Sequence, residues 1–222
     1  MKQIYVIGVG GVGSWLAPAM ALLVPESVVV IDGDKLEQKN LNRQLFGEED
    51  VGRNKAEALG RRYDLRFIPK FYSHGSMSID RTDWLLCAAD NNLARKAALQ
   101  SADEYGAQVI VGCNEKYSSE AYYYRRDWKG SPQDPRVYYS EIETDKSDDP
   151  RSAAIGCTGE SQKQNVQLVT ANYAAAGHMM SLYIAWAMER VKLNKEAATH
   201  LPHRIRQSLT RFEIGSLAKP MK

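Results

Sequence analysis

The stretch Gly8-Val9-Gly10-Gly11-Val12-Gly13 lies between an apolar run at residues 3–8 and a helix-compatible run at residues 14–24. A second apolar run, residues 27–32, follows and ends in Asp32. Short apolar runs without alternation are typical of strands that are buried on both faces of a parallel sheet. Strand, glycine turn, helix and strand in this order predict a βαβ unit at the start of the chain.

The same alternation of strand and helix continues through the first half of the chain. Predicted strands cover residues 65–71, 84–89 and 107–113, and predicted helices cover residues 53–63 and 91–105, where Ala94, Ala97, Ala98 and Ala102 share one side. The tyrosine-rich residues 119–126 predict an antiparallel strand. We therefore expect an α/β fold, a Rossmann-like, doubly wound and mainly parallel sheet, with antiparallel additions toward the C-terminal half.

The composition excludes several classes of protein. The 222 residues include 29 Lys or Arg and 27 Asp or Glu, and this +2 net charge gives no reason to expect nucleic acid or a membrane as the main partner. The cysteines Cys87, Cys113 and Cys157 form no Cys-x-x-Cys pair, which argues against a disulfide framework and a zinc site. Cys87 and Cys113 lie in predicted strands, so we expect them in the core. A reducing, cytoplasmic location is expected.

We expect one domain over residues 1–222, with a core at 1–126, a loop region at 127–162 and a helix and tail at 163–222. The loop region is rich in Pro, Ser, Asp and Gly, and loops this long are usually functional or disordered. Residues 164–188 carry no Asp, Glu, Lys or Arg, but their Gln, Asn and His favour a buried or partner-packed helix over a membrane span. The N-terminus does not resemble a signal peptide.

The tail is basic. It contains His200, His203, Arg204, Arg206 and Arg211. We expect a solvated helix face there, and contact with an acidic partner is the alternative.

The glycines have the spacing of a nucleotide-binding loop. Gly8, Gly10 and Gly13 fit the dinucleotide fingerprint, and Asp32 lies at the end of the next predicted strand, where it can accept hydrogen bonds from ribose hydroxyls. The amides at the start of the following helix can donate to phosphate. These features fit NAD, FAD and ATP equally.

A cluster of polar residues after Asp32 favours nucleotidyl transfer. Asp34, Asn40, Arg43 and Lys55 follow within one predicted connection and helix. When a carboxylate attacks the α-phosphorus of ATP, pyrophosphate leaves, and Arg, Lys and Mg²⁺ neutralise the negative charge that develops. Arg43 offers a planar fork for phosphate oxygens, and Lys55 offers a mobile point charge.

Several motifs in order resemble the ThiF/MoeB superfamily, which includes the adenylation domains of ubiquitin-activating enzymes. They are Gly-Val-Gly-Gly-Val-Gly-Ser at 8–14, Asp-Gly-Asp at 32–34, Asn-Leu-Asn-Arg-Gln-Leu-Phe at 40–46, Asp-Val-Gly-Arg-Asn-Lys-Ala at 50–56 and Ala-Ala-Asp-Asn-Asn-Leu-Ala-Arg at 88–95. The resemblance implies ATP- and Mg²⁺-dependent adenylation of the C-terminal carboxylate of a small ubiquitin-like or sulfur-carrier protein that ends in glycine. It also implies a homodimer.

The resemblance assigns a role to each motif. Gly10, Gly11 and neighbouring amides hold phosphate, Asp32 holds the ribose, Asn40 and Arg43 hold phosphate, Lys55 neutralises pyrophosphate, and Asp90 binds Mg²⁺. Cys157 lies where relatives carry a crossover loop whose cysteine attacks the acyl-adenylate. A catalytic thiol and an incidental loop cysteine are both open for this residue.

The chain also departs from the family pattern. It lacks the paired Cys-x-x-Cys motifs that hold zinc in many sulfur-carrier activators, and it begins at its first strand. We therefore expect no zinc. For the arginine that relatives supply from an N-terminal helix two alternatives are open: it comes from elsewhere, or the activity is weaker or takes another form. The chain resembles short bacterial ThiF-like proteins, including those of the PRTRC type. Two alternatives stay open: an NAD(P)- or FAD-dependent oxidoreductase and a non-catalytic nucleotide-binding scaffold.

Overall fold

The computed structural model describes residues 2–115, 118–151, 168–188 and 203–208. Within these residues, seven strands form one sheet in the order β3-β2-β1-β4-β5-β6-β7. The strands are β1 (Ile4–Ile7), β2 (Val28–Ile31), β3 (Arg66–Ile68), β4 (Trp84–Cys87), β5 (Gln108–Asn114), β6 (Ser118–Tyr124) and β7 (Arg204–Ser208). The helices are α1 (Gly13–Leu23), α2 (Lys55–Tyr63), α3 (Asn92–Tyr105), α4 (Pro135–Tyr138), α5 (Glu141–Thr144) and α6 (Val169–Tyr183).

The central strands are short, apolar and buried on both faces. Every residue of β1, β2 and β4 is buried, and the pairs from β3 through β5 are parallel. The pairs β5–β6 and β6–β7 are antiparallel. The predicted mixed, mainly parallel sheet is therefore confirmed.

Two apolar layers cover the two faces of this sheet. One contains Leu16 of α1, Leu59 of α2 and Leu182 of α6. The other contains the alanine side of α3 and Ile142 of α5. The predicted alanine side is confirmed, because Ala94, Ala97, Ala98 and Ala102 are all buried.

The order of the strands determines where a ligand can bind. β1 pairs with β2 on one side and β4 on the other, so the chain changes direction across the sheet between β1 and β4. In open α/β sheets, a crevice forms at the carboxyl ends of the strands at such a switch point. The glycine loop follows β1, and Asp90 follows β4, so both lie at this crevice.

Local chemistry shifts some predicted boundaries. β3 ends at Ile68, three residues before the predicted end, because proline at 69 has no N–H to continue a ladder. α2 begins at Lys55 rather than at residue 53, because the Asn54 side chain caps the helix by accepting from the Glu57 N–H at 3.0 Å.

Residues 126–144 differ from the predicted loop. They form a 3₁₀ turn (Arg126–Trp128), α4 and α5. Arg136 ties this segment to α3, because its Nη1 lies 2.8 Å from Asp103 Oδ2 and its Nε lies 2.8 Å from Asp134 Oδ1. Ile142 is 1% exposed in the core on the same side of the sheet. Composition predicted a loop at residues 127–162, because contacts between residues that are distant in the sequence leave no local pattern. Residues 152–162 lie outside the described part.

The uncharged run forms a helix that packs on the sheet, as predicted for its described residues. α6 spans Val169–Tyr183 and continues into a π-helical turn, Ile184–Met188. Asn172, Met179 and Leu182 are fully buried. In the part of the chain that the structure describes, no helix is long and apolar enough to cross a membrane.

The described part of the tail corrects the prediction of a solvated helix face. Arg204–Ser208 is strand β7, antiparallel to β6. Arg204 reaches the buried carboxylate of Glu120 with both ends of its guanidinium, Nε to Oε1 at 2.7 Å and Nη2 to Oε2 at 3.1 Å. Tyr139 donates to the same Oε1 at 2.7 Å. Charge in the sequence indicated solvent, whereas this carboxylate, only 3% exposed, places the arginine on the sheet.

Replacing Arg204 with methionine is expected to lower the free energy of unfolding by about 3 kcal/mol, because Glu120 would keep a buried charge without its principal partner. The control is Arg206→Met. Arg206 Nε lies 3.6 Å from the same carboxylate and its side chain is 54% exposed, so we expect a loss below about 1 kcal/mol. Urea unfolding of both variants measures the difference. Equal losses would show that the buried pair does not hold β7.

Candidate functional site

A cleft opens at the carboxyl ends of β1, β2 and β4. It collects most of the residues that the sequence marked, although they lie on separate elements. Its lining includes Gly8, Gly10, Gly11, Asp32, Asp34, Asn40, Arg43, Lys55 and Asp90. Gly13 does not line the cleft, and Cys157 lies outside the described residues.

Gly8 and Gly13 allow the turn after β1 to pack closely against neighbouring backbone. Gly8 has φ +82°, and a Cβ there would lie 2.8 Å from the Ala89 Cα in the connection after β4. A Cβ on Gly13 would overlap the Gly8 carbonyl oxygen. Since neither clash can be relieved without moving backbone, both positions require glycine. Gly8 and Gly13 therefore determine the shape of the loop, and α1 begins at Gly13.

The two glycines between them, Gly10 and Gly11, have different surroundings. Among the described residues, a Cβ on Gly10 would meet only the end of Gln44, at 3.6 Å. The Gly10 backbone lines the cleft, and this open space leaves room for an anion. A Cβ on Gly11 would press on the side chain of Asn172 of α6. Gly10 therefore presents backbone to a ligand, and Gly11 lets α6 pack against the loop.

Asp32 connects the glycine loop to the segment after β2. Its Oδ2 accepts from the Val9 N–H and its Oδ1 from the Asp34 N–H, both at 2.8 Å. Burial raises the pKa of this carboxyl, and the nearby Lys55 charge and the two amides act in the opposite direction. Each oxygen has a second lone pair, so the carboxylate can also accept from ribose hydroxyls.

Asn54 positions Lys55 beside Asp34. The Asn54 Nδ2 donates to the carbonyl oxygens of Asp32 at 2.9 Å and Asp34 at 3.1 Å, and the Lys55 N–H donates to the Asp34 carbonyl at 2.9 Å. The Lys55 Nζ then lies 3.3 Å from Asp34 Oδ2, on a side chain that is only 11% exposed. The result is a positioned ammonium group at the wall of the cleft.

Asn40 and Arg43 lie in the connection between β2 and α2. Asn40 Oδ1 accepts from the Glu37 N–H at 3.0 Å, which leaves its amide nitrogen as the donor of the side chain. The Arg43 carbonyl accepts from Trp15 Nε1 at 3.1 Å, which ties the loop to α1. Arg43 Nη1 donates to the Lys39 carbonyl at 3.0 Å. Its Nε is buried and has no hydrogen-bond partner among the described residues, so the guanidinium retains donor capacity.

Asp90 is an exposed carboxylate at the end of β4. Among the described residues, no group of three or more His, Cys, Asp or Glu could hold a metal by itself. Mg²⁺ in phosphate-transfer sites is commonly held by one or two carboxylates together with phosphates and water. Asp90 fits this mode of Mg²⁺ binding. Within the described part of the chain, it does not belong to a cluster that could hold a metal with protein ligands alone.

Sequence reasoning missed several residues of the cleft. The ring of Phe71, just after β3, packs over Gly33, and Tyr72 hydrogen-bonds Ser101 at 2.7 Å, while burial raises the Tyr72 pKa to about 12. Asn114, at the end of β5, has a buried Nδ2 without a hydrogen-bond partner in the described residues. Arg151, on the segment after α5, also lines the cleft. Position at the end of a strand could have marked Asn114, but no local pattern marks Arg151.

A family model with the description "ThiF family" matches residues 1–201, which is most of the chain. The chain belongs to the ThiF family. This decides the fold family independently of the strand order, and it agrees with the resemblance of the motifs.

Relatives of this ThiF-family chain include activating enzymes of ubiquitin-like proteins. Ubiquitin-like modifier-activating enzyme 5 of Drosophila persimilis is 30% identical over 127 residues, which cover 52% of this chain and 33% of that protein. The NEDD8-activating enzyme E1 catalytic subunit of Arabidopsis thaliana is 49% identical over 61 residues, 27% of this chain and 13% of that protein. The chain thus spans a third or less of the length of these relatives.

Solved structures share the fold of the ThiF-family chain at low identity. The tRNA N6-threonylcarbamoyladenosine dehydratase TcdA of E. coli, in complex with AMP, superposes with a TM-score of 0.64 at 18% identity and covers 86% of this chain and 88% of its own. E. coli MccB with ATP gives a TM-score of 0.54 at 19% identity and covers 82% and 55%.

The two described cysteines of the ThiF-family chain are core residues, as predicted. Cys87 is fully buried, and burial raises the pKa of its thiol to about 11. Cys113 is 5% exposed. Because the thiolate is the reactive form, both are shielded by burial and Cys87 also by its pKa.

We expect iodoacetamide at neutral pH to leave Cys87 and Cys113 unmodified in the native protein, and to modify both after unfolding. Peptide mapping by mass spectrometry locates the label. A Cys157→Ser variant serves as the control, because any label that the native protein takes up should disappear with it. Label on Cys87 in the native protein would contradict the structure.

Proposed function

We propose that this chain is an ATP- and Mg²⁺-dependent adenylyltransferase that activates the C-terminal carboxylate of a small ubiquitin-like or sulfur-carrier protein. One observation carries the proposal. Lys55 and Arg43 line the same cleft as Asp90 and the open face of Gly10, at the switch point of the sheet. An adenylyltransferase needs cations and a metal-binding carboxylate around a phosphate chain, whereas a dehydrogenase gives these side chains no role.

The residues present fit a nucleoside triphosphate. The backbone of Gly10, Gly11 and Val12 lines the cleft just before α1 and can offer amides to phosphate. Asp32 offers acceptors to the ribose, and Arg43 and Lys55 offer charge. Asp90 would hold Mg²⁺ together with the phosphates, and the bound ion would supply charge neutralisation for the pyrophosphate. Family membership and the nucleotide complexes of the structural neighbours support this assignment.

The chemistry needs no general base. The C-terminal carboxylate of the partner has a reference pKa of about 3.5, so it is already ionised at neutral pH. Its oxygen bonds to the α-phosphorus as the bond to the β-phosphate oxygen breaks, and the electron pair leaves with pyrophosphate. Lys55 and Arg43 stabilise the charge as it moves, and Asp32 and Asn40 hold the nucleotide in register.

A later step on Cys157 is a separate proposal. Its thiolate would attack the carbonyl carbon of the acyl-adenylate, form a thioester and release AMP. Mass spectrometry of an intact adduct that thiol reagents reverse, present in the wild type and absent in Cys157→Ala, supports it. Equal adducts in both proteins would remove the thiol from the mechanism.

A cytoplasmic homodimer completes the proposal, and sedimentation equilibrium tests the dimer.

Pyrophosphate exchange into ATP tests the function. The probes are purified ubiquitin-fold proteins that end in Gly-Gly, each compared with the same protein carrying a C-terminal amide. We expect exchange that requires Mg²⁺ and at least one free carboxylate partner, and no exchange with its amide. No exchange with any Gly-Gly partner, together with no ATP binding, would refute the proposal. Full biological activity in an Arg43→Ala or Asp90→Ala variant would favour a non-catalytic scaffold.

A further inference from the structure

Arg151 is a third cation at the cleft, on the segment that follows α5. Its Nε lies 3.6 Å from Asp34 Oδ1, and the other oxygen of the same carboxylate lies 3.3 Å from the Lys55 Nζ. Two cations therefore share one carboxylate. A triphosphate chain that Lys55 contacts would pass within reach of Arg151.

The surroundings of Arg151 hold it at this place from two sides. Its guanidinium lies over the ring of Phe71, 5.1 Å from the centroid. The preceding residue is fixed as well, because Asn91 Nδ2 donates to the Pro150 carbonyl at 3.0 Å. Asn91 also caps α3 through its Oδ1, which accepts from the Ala94 N–H at 2.8 Å. The connection between β4 and α3 thus anchors the residue before Arg151 directly beside Asp90.

The ion pair with Asp34 is weak. The side chains are 66% and 33% exposed, and pairs of this kind at 3.6 Å add little to stability. A phosphate is a better partner, because a guanidinium can donate two parallel hydrogen bonds to its oxygens. When Arg151 leaves Asp34 for a phosphate, Asp34 keeps its ion pair with Lys55.

We propose that Arg151 is a phosphate-binding residue of this cleft, which leaves Asp34 and contacts the triphosphate when the nucleotide binds. This inference rests on the proposed function in one respect, that ATP is the ligand. Arg151 supplies from within the same chain a positive charge that adds to Lys55 and Arg43.

Calorimetric titration separates phosphate contact from base contact. Wild type, Arg151→Ala and a control are titrated with ATP, tripolyphosphate and adenosine, all with Mg²⁺. The control is Arg61→Ala, because the Arg61 side chain is 64% exposed, pairs with Glu57 at 2.9 Å and does not line the cleft. We expect Arg151→Ala to weaken ATP and tripolyphosphate by about 10-fold or more and to leave adenosine unchanged. Arg61→Ala should bind all three as the wild type does.

The outcomes are distinct. An equal loss for ATP and adenosine would overturn the inference in favour of contact with the base. Unchanged binding of ATP to Arg151→Ala would overturn it while leaving the proposed function intact. No binding of ATP to the wild type would overturn the proposed function itself.

Discussion

Replacing Lys55 with methionine is expected to slow pyrophosphate exchange by about 100-fold to 1000-fold, the range seen when one preorganised electrostatic donor is removed. Lys55 is 8% exposed, and Asn54 and Asp34 fix its ammonium group before any ligand arrives. Methionine retains the length of the side chain and removes the charge. The ratio of kcat/KM for exchange between wild type and variant measures the loss of transition-state stabilisation.

Lys39→Met is the matched control for this prediction. Lys39 lies on the neighbouring loop and pairs with Glu37 at 2.8 Å, but its side chain is 70% exposed and does not line the cleft. We expect its exchange rate to stay within a factor of two or so of wild type, since exposed pairs contribute little. Thermal unfolding should show both variants folded. A Lys55→Met variant that exchanges at the wild-type rate would remove Lys55 from the chemistry.

Replacing Gly13 with alanine is expected to lower the free energy of unfolding by more than about 4 kcal/mol, a loss reserved for severe steric or burial defects. The added Cβ would overlap the Gly8 carbonyl oxygen. Gly8 is fixed in turn, because its N–H donates to the Ile31 carbonyl at 2.8 Å. Chemical denaturation measures the loss if the variant accumulates as folded protein. Failure to accumulate fits the same expectation.

Gly177→Ala is the matched control, since it is also a helix glycine. None of the described residues has an atom within 4 Å of its Cβ position. Alanine has the better helix propensity, so we expect this variant to be more stable than wild type by about 0.5–1 kcal/mol. Gly13→Ala with wild-type stability would mean that α1 does not begin as close to β1 as the structure shows.

The fold follows from local patterns for a physical reason. Strands buried on both faces read as apolar runs, such as residues 28–31, and α3 shows its core side in alanines at helical spacing. β7 could not be predicted in the same way. Its apolar content is low, and its position depends on Arg204 meeting Glu120, 84 residues earlier in the sequence. Pairing of that kind leaves no periodicity in the sequence.

The candidate site divides along the same line. Asp32, Lys55 and Asp90 could be placed together from the sequence, because the carboxyl ends of parallel strands meet at one edge of the sheet. Arg151 could not, since it reaches the cleft through the packing of residues 126–150 on α3. The role of Cys157 stays a prediction from resemblance, because it lies outside the described residues.

We propose that this cleft binds ATP, although its glycines and Asp32 would suit a dinucleotide equally. Parallel calorimetric titration of the wild-type protein with Mg²⁺-ATP and with NADH tests it most directly, with Lys55→Met as the variant that removes a cleft cation. We expect saturable binding of ATP that Lys55→Met weakens, and no binding of NADH at the same concentrations. Binding of NADH without binding of ATP would contradict it.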